Sequence, residues 1–416
     1  MNLGYLLLSF VLGGAALYTV IPDLFLHRWG IGSWKRQFSP GVTLTFDDGP
    51  DPAVTPRILE VLEKYQVCAT FFVVAEKAQK YPELIQQMKA KGHLIGVHSL
   101  SHRYAWFTSP WQTAREWTES VRVLEQLTDN KITWMRPPWG TFNLMTWWWF
   151  KRHKMRAVLW NAEGHDWDVR RSPAEITKRI LKGINEGTIV VLHDGGGDFR
   201  ARENSILALA QLCEQIVQKL KLPLVPLEFP DWKFGQRLTF LVWEKWEHYY
   251  ARKHHVERID ATNIFRLEKS IYDGPNLYAE DGRLLAEKGD PVAELHLDNI
   301  RLQAKGRDIQ KTALKVMHQI RASLPGLARY VAEDTTYDNI KVLVAETLLH
   351  RGVKGFGFNV QDLPNTRKGQ GIAWLQKMIM RVYHPAGKNR KNERLGNKTM
   401  LVWISRDKLL QFDYGE

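Results

Sequence analysis

Cysteine is almost missing from this chain. Its 416 residues hold two, Cys68 and Cys213, far apart and both on apolar faces. That excludes a disulfide-stapled scaffold and a thiolate metal site. Internal repeats and long low-complexity tracts are also missing. Charge is absent from residues 3–21, where Leu, Val, Phe, Tyr, Ala and Gly dominate. A run of about 20 apolar residues is what a helix needs to cross a bilayer. Met1-Asn2 lacks the basic stretch that opens a secretory signal. An uncleaved single-span anchor is therefore expected, with cleavage at the small residues 13–16 as the alternative.

What remains is ordinary for a folded protein, with 44% hydrophobic and 25% charged residues. The length allows two domains, or one barrel with an appendage. A net charge of +13 favours anionic surfaces such as phospholipid headgroups, wall polymers or nucleic acid. Both halves, divided near Pro230, are basic, so neither carries the bias alone.

The stretch G-V-T-L-T-F-D-D-G-P at 41–50 reads as a buried strand running into a turn, with Asp47 and Asp48 at its end. Adjacent strand residues face opposite ways, so both carboxylates serve one site only if the strand breaks there. Further strands are expected at 69–74, 94–97, 132–135, 156–160, 188–192 and 224–227. Helices are expected at 54–65, 82–91, 111–127, 144–153, 173–184 and 206–220. Such alternation predicts a parallel β/α architecture, either a barrel or a doubly wound sheet, whose chemistry gathers at the carboxyl ends of the strands. Asp47, Asp48, His98, His102, Arg136, Glu163, Asp166 and His193 all fall on that rim.

His98 and His102 are four residues apart, a spacing that on one helical turn lets both imidazoles share a metal ion. Asp48 completes a two-His-one-carboxylate set with positions left for water and substrate. Asp47 is then free to act as a base.

Five motifs in order resemble the polysaccharide deacetylase family (carbohydrate esterase family 4, the NodB-homology domain). They are T-F-D-D-G-P at 45–50, H-S-L-S-H at 98–102, R-P-P-W-G at 136–140, W-N-A-E-G-H-D-W at 160–167 and V-L-H-D at 191–194. The resemblance spans about 41–227. It implies a distorted (β/α) barrel of about seven strands that removes N-acetyl groups from amino sugars with a divalent metal, zinc before cobalt or nickel. By position it implies Asp48, His98 and His102 as ligands, Asp47 as base and Arg136 as the group holding it. Trp139 would give a backbone N–H to the oxyanion, and His193 would protonate the leaving amine. Leu192 would line the acetyl pocket. Asp166 and Trp167 match the fourth motif, Asp166 as an orienting group. Glu163 departs from it, standing where the family has Asp.

The expected organisation is an anchor and linker at 1–38, a catalytic domain at 39–230 and a smaller α+β domain at 231–416 of unassigned role. In the last, helices are expected at 244–255, 312–324 and 374–383, hairpins across 277–297, and strands at 340–344, 356–360 and 400–404. No metal or nucleophile pattern stands out there. Lys388, Arg390, Lys391, Arg394 and Lys398 form a basic loop that suits anionic polymer or headgroups. Trp147-Trp148-Trp149-Phe150, followed by Lys151, Arg152 and Lys154, is either a heavy helix face or a membrane-interface contact.

The sequence thus predicts a single-pass membrane deacetylase of N-acetylglucosamine-containing glycans, peptidoglycan or exopolysaccharide, with no nucleic-acid partner. A lipid-linked amino sugar is the alternative substrate, and an inactive glycan-binding membrane protein the alternative class. The chemistry puts the catalytic domain outside the cell, although His27, Arg28, Lys35 and Arg36 after the span argue for the cytoplasm.

Overall fold

The computed structural model describes residues 3–37, 41–229, 234–260, 262–298, 309–347, 350, 352–363 and 399–414. It divides into two compact units, Met1–Phe229 and Pro230–Glu416.

The first unit is built on seven strands: β1 (Thr43–Asp47), β2 (Thr70–Val73), β3 (Leu94–Val97), β4 (Trp134–Met135), β5 (Arg156–Ala157), β6 (Ala162–Glu163) and β7 (Ile189–His193). Their order is β5-β4-β3-β2-β1-β7-β6, and every pairing is parallel. Among the described residues no ladder joins β5 to β6. The segment after the N-terminal helix lies across that gap, with Trp34 bridging to Val158 and Arg36 to Thr188. This is a distorted, incompletely closed (β/α) barrel. β1, wholly buried, lies between β2 and β7.

The alternating pattern decides what each face does. Leu44 and Phe46 join the apolar layer beneath the helices, packed with Ile58, Leu59 and Leu62 of the helix Thr55–Lys64. Thr45 and Asp47 face the barrel interior, where both meet the Arg136 guanidinium. Helix starts follow their caps. Ser109 with Gln112 and Ser172 with Glu175 form capping boxes for Pro110–Thr128 and Pro173–Lys182.

Two expectations need correction. Residues 224–227 form no strand; Leu224 makes one isolated bridge to Val42. The seventh strand is instead β6, two residues long and too short to show periodicity. The last helix of this unit begins at Phe199 rather than 206, because Asp198 accepts the Arg200 N–H and caps it there.

The N-terminal segment is helical from Leu3 to Arg28, with π-helical stretches at Ala16–Val20 and Leu24–Arg28. Gly4–Arg28 is long and apolar enough to cross a membrane.

The second unit is α+β. Its six-stranded sheet has the order β14-β15-β13-β12-β9-β8, from β8 (Glu257–Arg258), β9 (Phe265–Ile271), β12 (Pro291–Leu297), β13 (Val342–Thr347), β14 (Asn359–Asp362) and β15 (Met400–Ser405). β10 (Leu277–Tyr278) and β11 (Leu284–Ala286) form the expected hairpin. Helices Phe234–Lys253 and Ile309–Glu333 are longer than expected. The expected helix at 374–383 and the basic loop with Lys388, Arg390, Lys391, Arg394 and Lys398 lie outside the described residues. Glu268, Glu294 and His296 do come close enough to share a cation, which the sequence did not suggest. Glu268 is already engaged by His254 and His296, and Glu294 by Ser270, so the group stands as a satisfied ion-pair network.

One interior contact is tight enough to test. A Cβ on Gly96 would lie 2.6 Å from the Phe72 ring, which in turn lies under the Arg136 guanidinium at 4.2 Å. Gly96→Ala should therefore cost about 1–3 kcal/mol by overpacking, read as a lower denaturant midpoint at unchanged m-value.

Candidate active site

β1 ends at Asp47, and Asp48 takes a left-handed conformation with φ 72°. That is the break the paired carboxylates require. Asp47 stays in the strand and points inward, while Asp48 swings to the rim. Two close backbone approaches fix the turn. A Cβ at Gly49 would fall 2.1 Å from an Asp194 carboxylate oxygen, and one at Gly195 would fall 2.4 Å from the Asp48 carbonyl. Only glycine fits either place.

Asp194 is the anchor of this turn and was missing from the sequence-based site. It is fully buried, accepts the Gly49 N–H at 3.1 Å and the Thr55 hydroxyl at 2.7 Å. Burial pushes its carboxyl up to about 7, against the Thr55 hydrogen bond, and the nearby Asp48 charge adds to the rise. The signal was in the fifth motif, where Asp194 directly follows His193.

His98 and His102 do not lie on a helical turn. They belong to an irregular loop after β3, in which Ser99 and His102 have φ of 67° and 56°. The Glu116 carboxylate holds the loop by accepting from Leu100 N, Ser101 N and the Ser101 hydroxyl at 3.1, 3.0 and 2.8 Å. The loop achieves what the helix was expected to do. His98 Nε2 is 3.3 Å and His102 Nε2 2.9 Å from Asp48 Oδ1. Burial opposes the Asp48 charge, but hydrogen bonds from His102 and then His98 hold its pKa well below the usual carboxylate range.

The donor set fits a divalent cation. The ligand atoms of Asp48, His98 and His102 all lie within 4.8 Å of one another. His98 Nδ1 is 2.7 Å from the Arg136 carbonyl, a contact that orients the ring so that Nε2, the nitrogen a cation would use, is turned toward Asp48. One carboxylate and two imidazoles, with one face open, suit zinc and its neighbours.

Arg136 is fully buried and bonds in several directions. One guanidinium nitrogen donates to Asp47 Oδ1 at 2.7 Å and to the Thr45 hydroxyl at 2.8 Å. The others donate to the Val158 and Leu159 carbonyls at 3.0 and 3.3 Å. Burial lowers its pKa, and the Asp47 charge works against that.

His193 is the Cα partner of Asp47 across β7 and β1. The Asp166 carboxylate grips it twice, through the backbone N–H and through ring Nδ1, both at 2.8 Å; Ser205 donates to the same carboxylate at 2.7 Å. Burial disfavours the imidazolium, but the Asp166 charge and hydrogen bond outweigh it and raise the pKa to about 10.

Leu192 is not on this face. It is the Cα partner of Phe46 and packs with Leu44 and Phe46 in the layer beneath the helices. Val191, partner of Thr45, shares the side of Asp47 and His193. Strand alternation makes the difference, since neighbours along β7 must diverge. Glu163 is exposed and accepts from Trp160 Nε1 at 2.9 Å, with His165 Nε2 at 3.0 Å. Trp167 is exposed and stacks on His165. Trp139 has φ 53° in the turn Pro138–Gly140, and its ring leans on His102 at 4.4 Å and Tyr104 at 5.2 Å.

A parallel barrel with two aspartates, two histidines, an arginine and a further histidine at its strand ends defines a hydrolase site. The sequence profile of the polysaccharide deacetylase family matches residues 36–158, and that of the YkoP domain matches residues 236–413. A peptidoglycan-N-acetylglucosamine deacetylase of Bacillus cereus is 32% identical over 177 residues, 42% of this chain and 81% of that protein. A chitooligosaccharide deacetylase of Sinorhizobium fredii is 31% identical over 182 residues, 42% of this chain and 84% of that one. A crystallised peptidoglycan N-acetylglucosamine deacetylase aligns at 27% identity and TM-score 0.44, over 47% of this chain and 90% of its own. The chain belongs to the polysaccharide deacetylase family, hydrolases of carbon–nitrogen bonds other than peptide bonds.

Two expectations follow from the geometry. With the His193 pKa raised from 6.5 to about 10, its pairing with Asp166 stabilises the fold fully below pH 6.5 and is lost as pH climbs through 10. Asp166→Asn should flatten that alkaline loss, as measured by urea denaturation between pH 6 and pH 10. Leu192→Ala should cost about 2–5 kcal/mol of stability as a core truncation, with the acyl-size preference of the enzyme unchanged. An altered preference for acetyl over propionyl amides would return Leu192 to the pocket.

Proposed function

We propose that the first unit removes the N-acetyl group from N-acetylglucosamine-containing glycans, with peptidoglycan or exopolysaccharide as the polymer. Asp48, His98 and His102 hold a divalent cation, zinc before cobalt or nickel. When bound, the cation supplies Lewis acidity to the amide and makes water easier to deprotonate. Asp47 takes the proton from the attacking water. Arg136 holds Asp47 aimed into the barrel through their hydrogen bond. The backbone N–H of Trp139 donates to the oxygen on which negative charge develops. His193, held as imidazolium by Asp166, protonates the amine, which otherwise leaves poorly. Val191 rather than Leu192 lines the acetyl side.

The observation that carries this reading is the pairing of opposite roles across one strand ladder. Asp47, bound to a cationic guanidinium, and His193, bound to a carboxylate, are directly opposed Cα partners. Base and acid thus stand side by side, each held by a partner of opposite charge, next to Asp48 and its imidazoles.

Residues 1–38 serve as a single-pass membrane anchor, 39–230 as the catalytic domain outside the cell, and 231–416 as an accessory domain. The excess of basic residues gives affinity for anionic lipid or wall polymer, and nucleic acid is not a partner.

Chelated protein reloaded with Zn²⁺ or Co²⁺ should release acetate from an N-acetylated glycan. His102→Ala should lose both bound metal and acetate release. Asp47→Asn should keep the metal and lose about 10²–10⁴-fold in kcat. Retention of activity by Asp47→Asn would remove it from the role of base.

A further inference from the structure

The N-terminal helix is not a free tether. From Gly4 to Ala15 it is exposed, but from Ala16 onward it lies along the first unit. The Tyr18 hydroxyl donates to the Thr108 carbonyl at 3.1 Å, and Asp23 accepts the Phe142 N–H at 2.8 Å. Pro22 and Leu26 are buried. The outward side of the helix nevertheless stays apolar well past that contact, with Leu17, Val20, Ile21, Leu24 and Phe25 all exposed. The lipid-facing surface of the helix and the body of the domain therefore overlap in height.

At that height the domain itself exposes large aromatic and apolar side chains. Phe107 is 86% and Trp111 80% exposed, on either side of the Thr108 that Tyr18 grips. Leu144, Trp147 and Trp148 are exposed on the neighbouring helix Leu144–Arg152. Asn143, which caps that helix, donates to the Ala105 carbonyl at 2.7 Å and to the Thr113 hydroxyl at 2.9 Å. The aromatic positions are thus tied into one patch around the helix rather than scattered. Trp149, by contrast, is buried, so only part of the tryptophan run belongs to the core.

Cations gather where the chain leaves the helix. Arg28 is close enough to Lys35 to depress its pKa, after burial, and Lys151 Nζ lies 4.0 Å from the place a Gly32 Cβ would take. An apolar helix flanked by exposed tryptophans and by cations at its end is the composition found where proteins enter a bilayer.

The active site is joined to this patch by touching rings. The Phe107 ring is 5.5 Å from Tyr104, Tyr104 is 5.2 Å from Trp139, and Trp139 is 4.4 Å from His102. We propose that the patch around the N-terminal helix seats the first unit in the bilayer interface, and that its substrate is an N-acetylated amino sugar carried on a lipid and presented at the headgroup level. This rests on the deacetylase reading and puts a membrane-held glycolipid, bearing the same N-acetylated amino sugar, in place of the wall polymer as substrate. The aromatic rings from Phe107 to Trp139 form the apolar path along which the lipid-proximal part of the substrate approaches His102.

The full-length protein reconstituted in phosphatidylethanolamine–phosphatidylglycerol vesicles provides the test. In a Cys68→Ser background, Cys213 being buried, Phe107→Cys is labelled with an environment-sensitive fluorophore. Its emission should shift blue and be quenched by spin-labelled lipid, whereas a label at exposed Arg122 on the far part of helix Pro110–Thr128 should respond to neither. Acetate release is then measured from two substrates, a lipid-anchored N-acetylglucosamine in the same vesicles and a soluble N-acetylglucosamine oligosaccharide. The double variant Trp111→Ser, Trp148→Ser, at two exposed patch residues outside the ring path, should lose at least tenfold on the lipid-anchored substrate and stay within twofold on the soluble one. An unquenched Phe107→Cys label, or equal loss on both substrates, overturns the seating and the lipid-borne substrate while leaving the deacetylase reading intact. Release from neither substrate by metal-loaded parent protein, with the label still quenched, would sink the deacetylase reading and the substrate proposal with it, but not the seating.

Discussion

Arg136 is the residue on which the site depends. Its guanidinium crosses the barrel interior to reach Thr45 and Asp47 on β1 and the Val158 and Leu159 carbonyls just past β5. Its own carbonyl meets His98 Nδ1 and so sets the face that this imidazole turns toward Asp48. One residue thereby fixes the direction of the Asp47 carboxylate and the orientation of the His98 ring. Burying a charged pair costs several kcal/mol per ion in a low-dielectric interior, and the cost is offset only when the remaining donors are satisfied. Here strand-end carbonyls and a strand hydroxyl satisfy them, with the Phe72 ring beneath the plane. Substituting lysine would keep the charge and lose the geometry.

The architecture provides the rest through register. Parallel pairing brings Asp47 opposite His193 and Val97 opposite Met135, so the residues following β3 and β4 emerge at the same rim. Two further carboxylates act from behind. Asp194 holds the turn that carries Asp48, and Asp166 holds His193. Their effects differ because their partners differ. Asp194 meets a neutral hydroxyl and an N–H beside other carboxylates and is pushed toward protonation, whereas Asp166 meets an imidazole and keeps that imidazole charged.

The N-terminal helix belongs to the same design. It packs beside the turn that carries Trp139; a Cβ on Gly140 would come 3.4 Å from His27 Nε2. The wall of the active site and the base of the apolar helix are therefore one packed region, and the second unit folds around a core of its own.

Sequence alone was enough for everything that local periodicity and dense motif spacing encode. The alternation in 41–50 marked a buried strand ending in two carboxylates, and the order of five motifs marked the family and its rim residues. It was also enough to place the apolar helix, because a charge-free run needs no tertiary context to be read. It could not show that His98 and His102 meet Asp48 from an irregular loop, since that loop is held by the Glu116 carboxylate from the helix Pro110–Thr128, a contact no local pattern marks. Nor could it show Leu192 turned away from the site, β6 as the seventh strand, or the Asp194 anchor. Facing direction, two-residue pairing and buried hydrogen bonds are decided between segments far apart in sequence, by which neighbour occupies the space, and only the assembled chain contains that information.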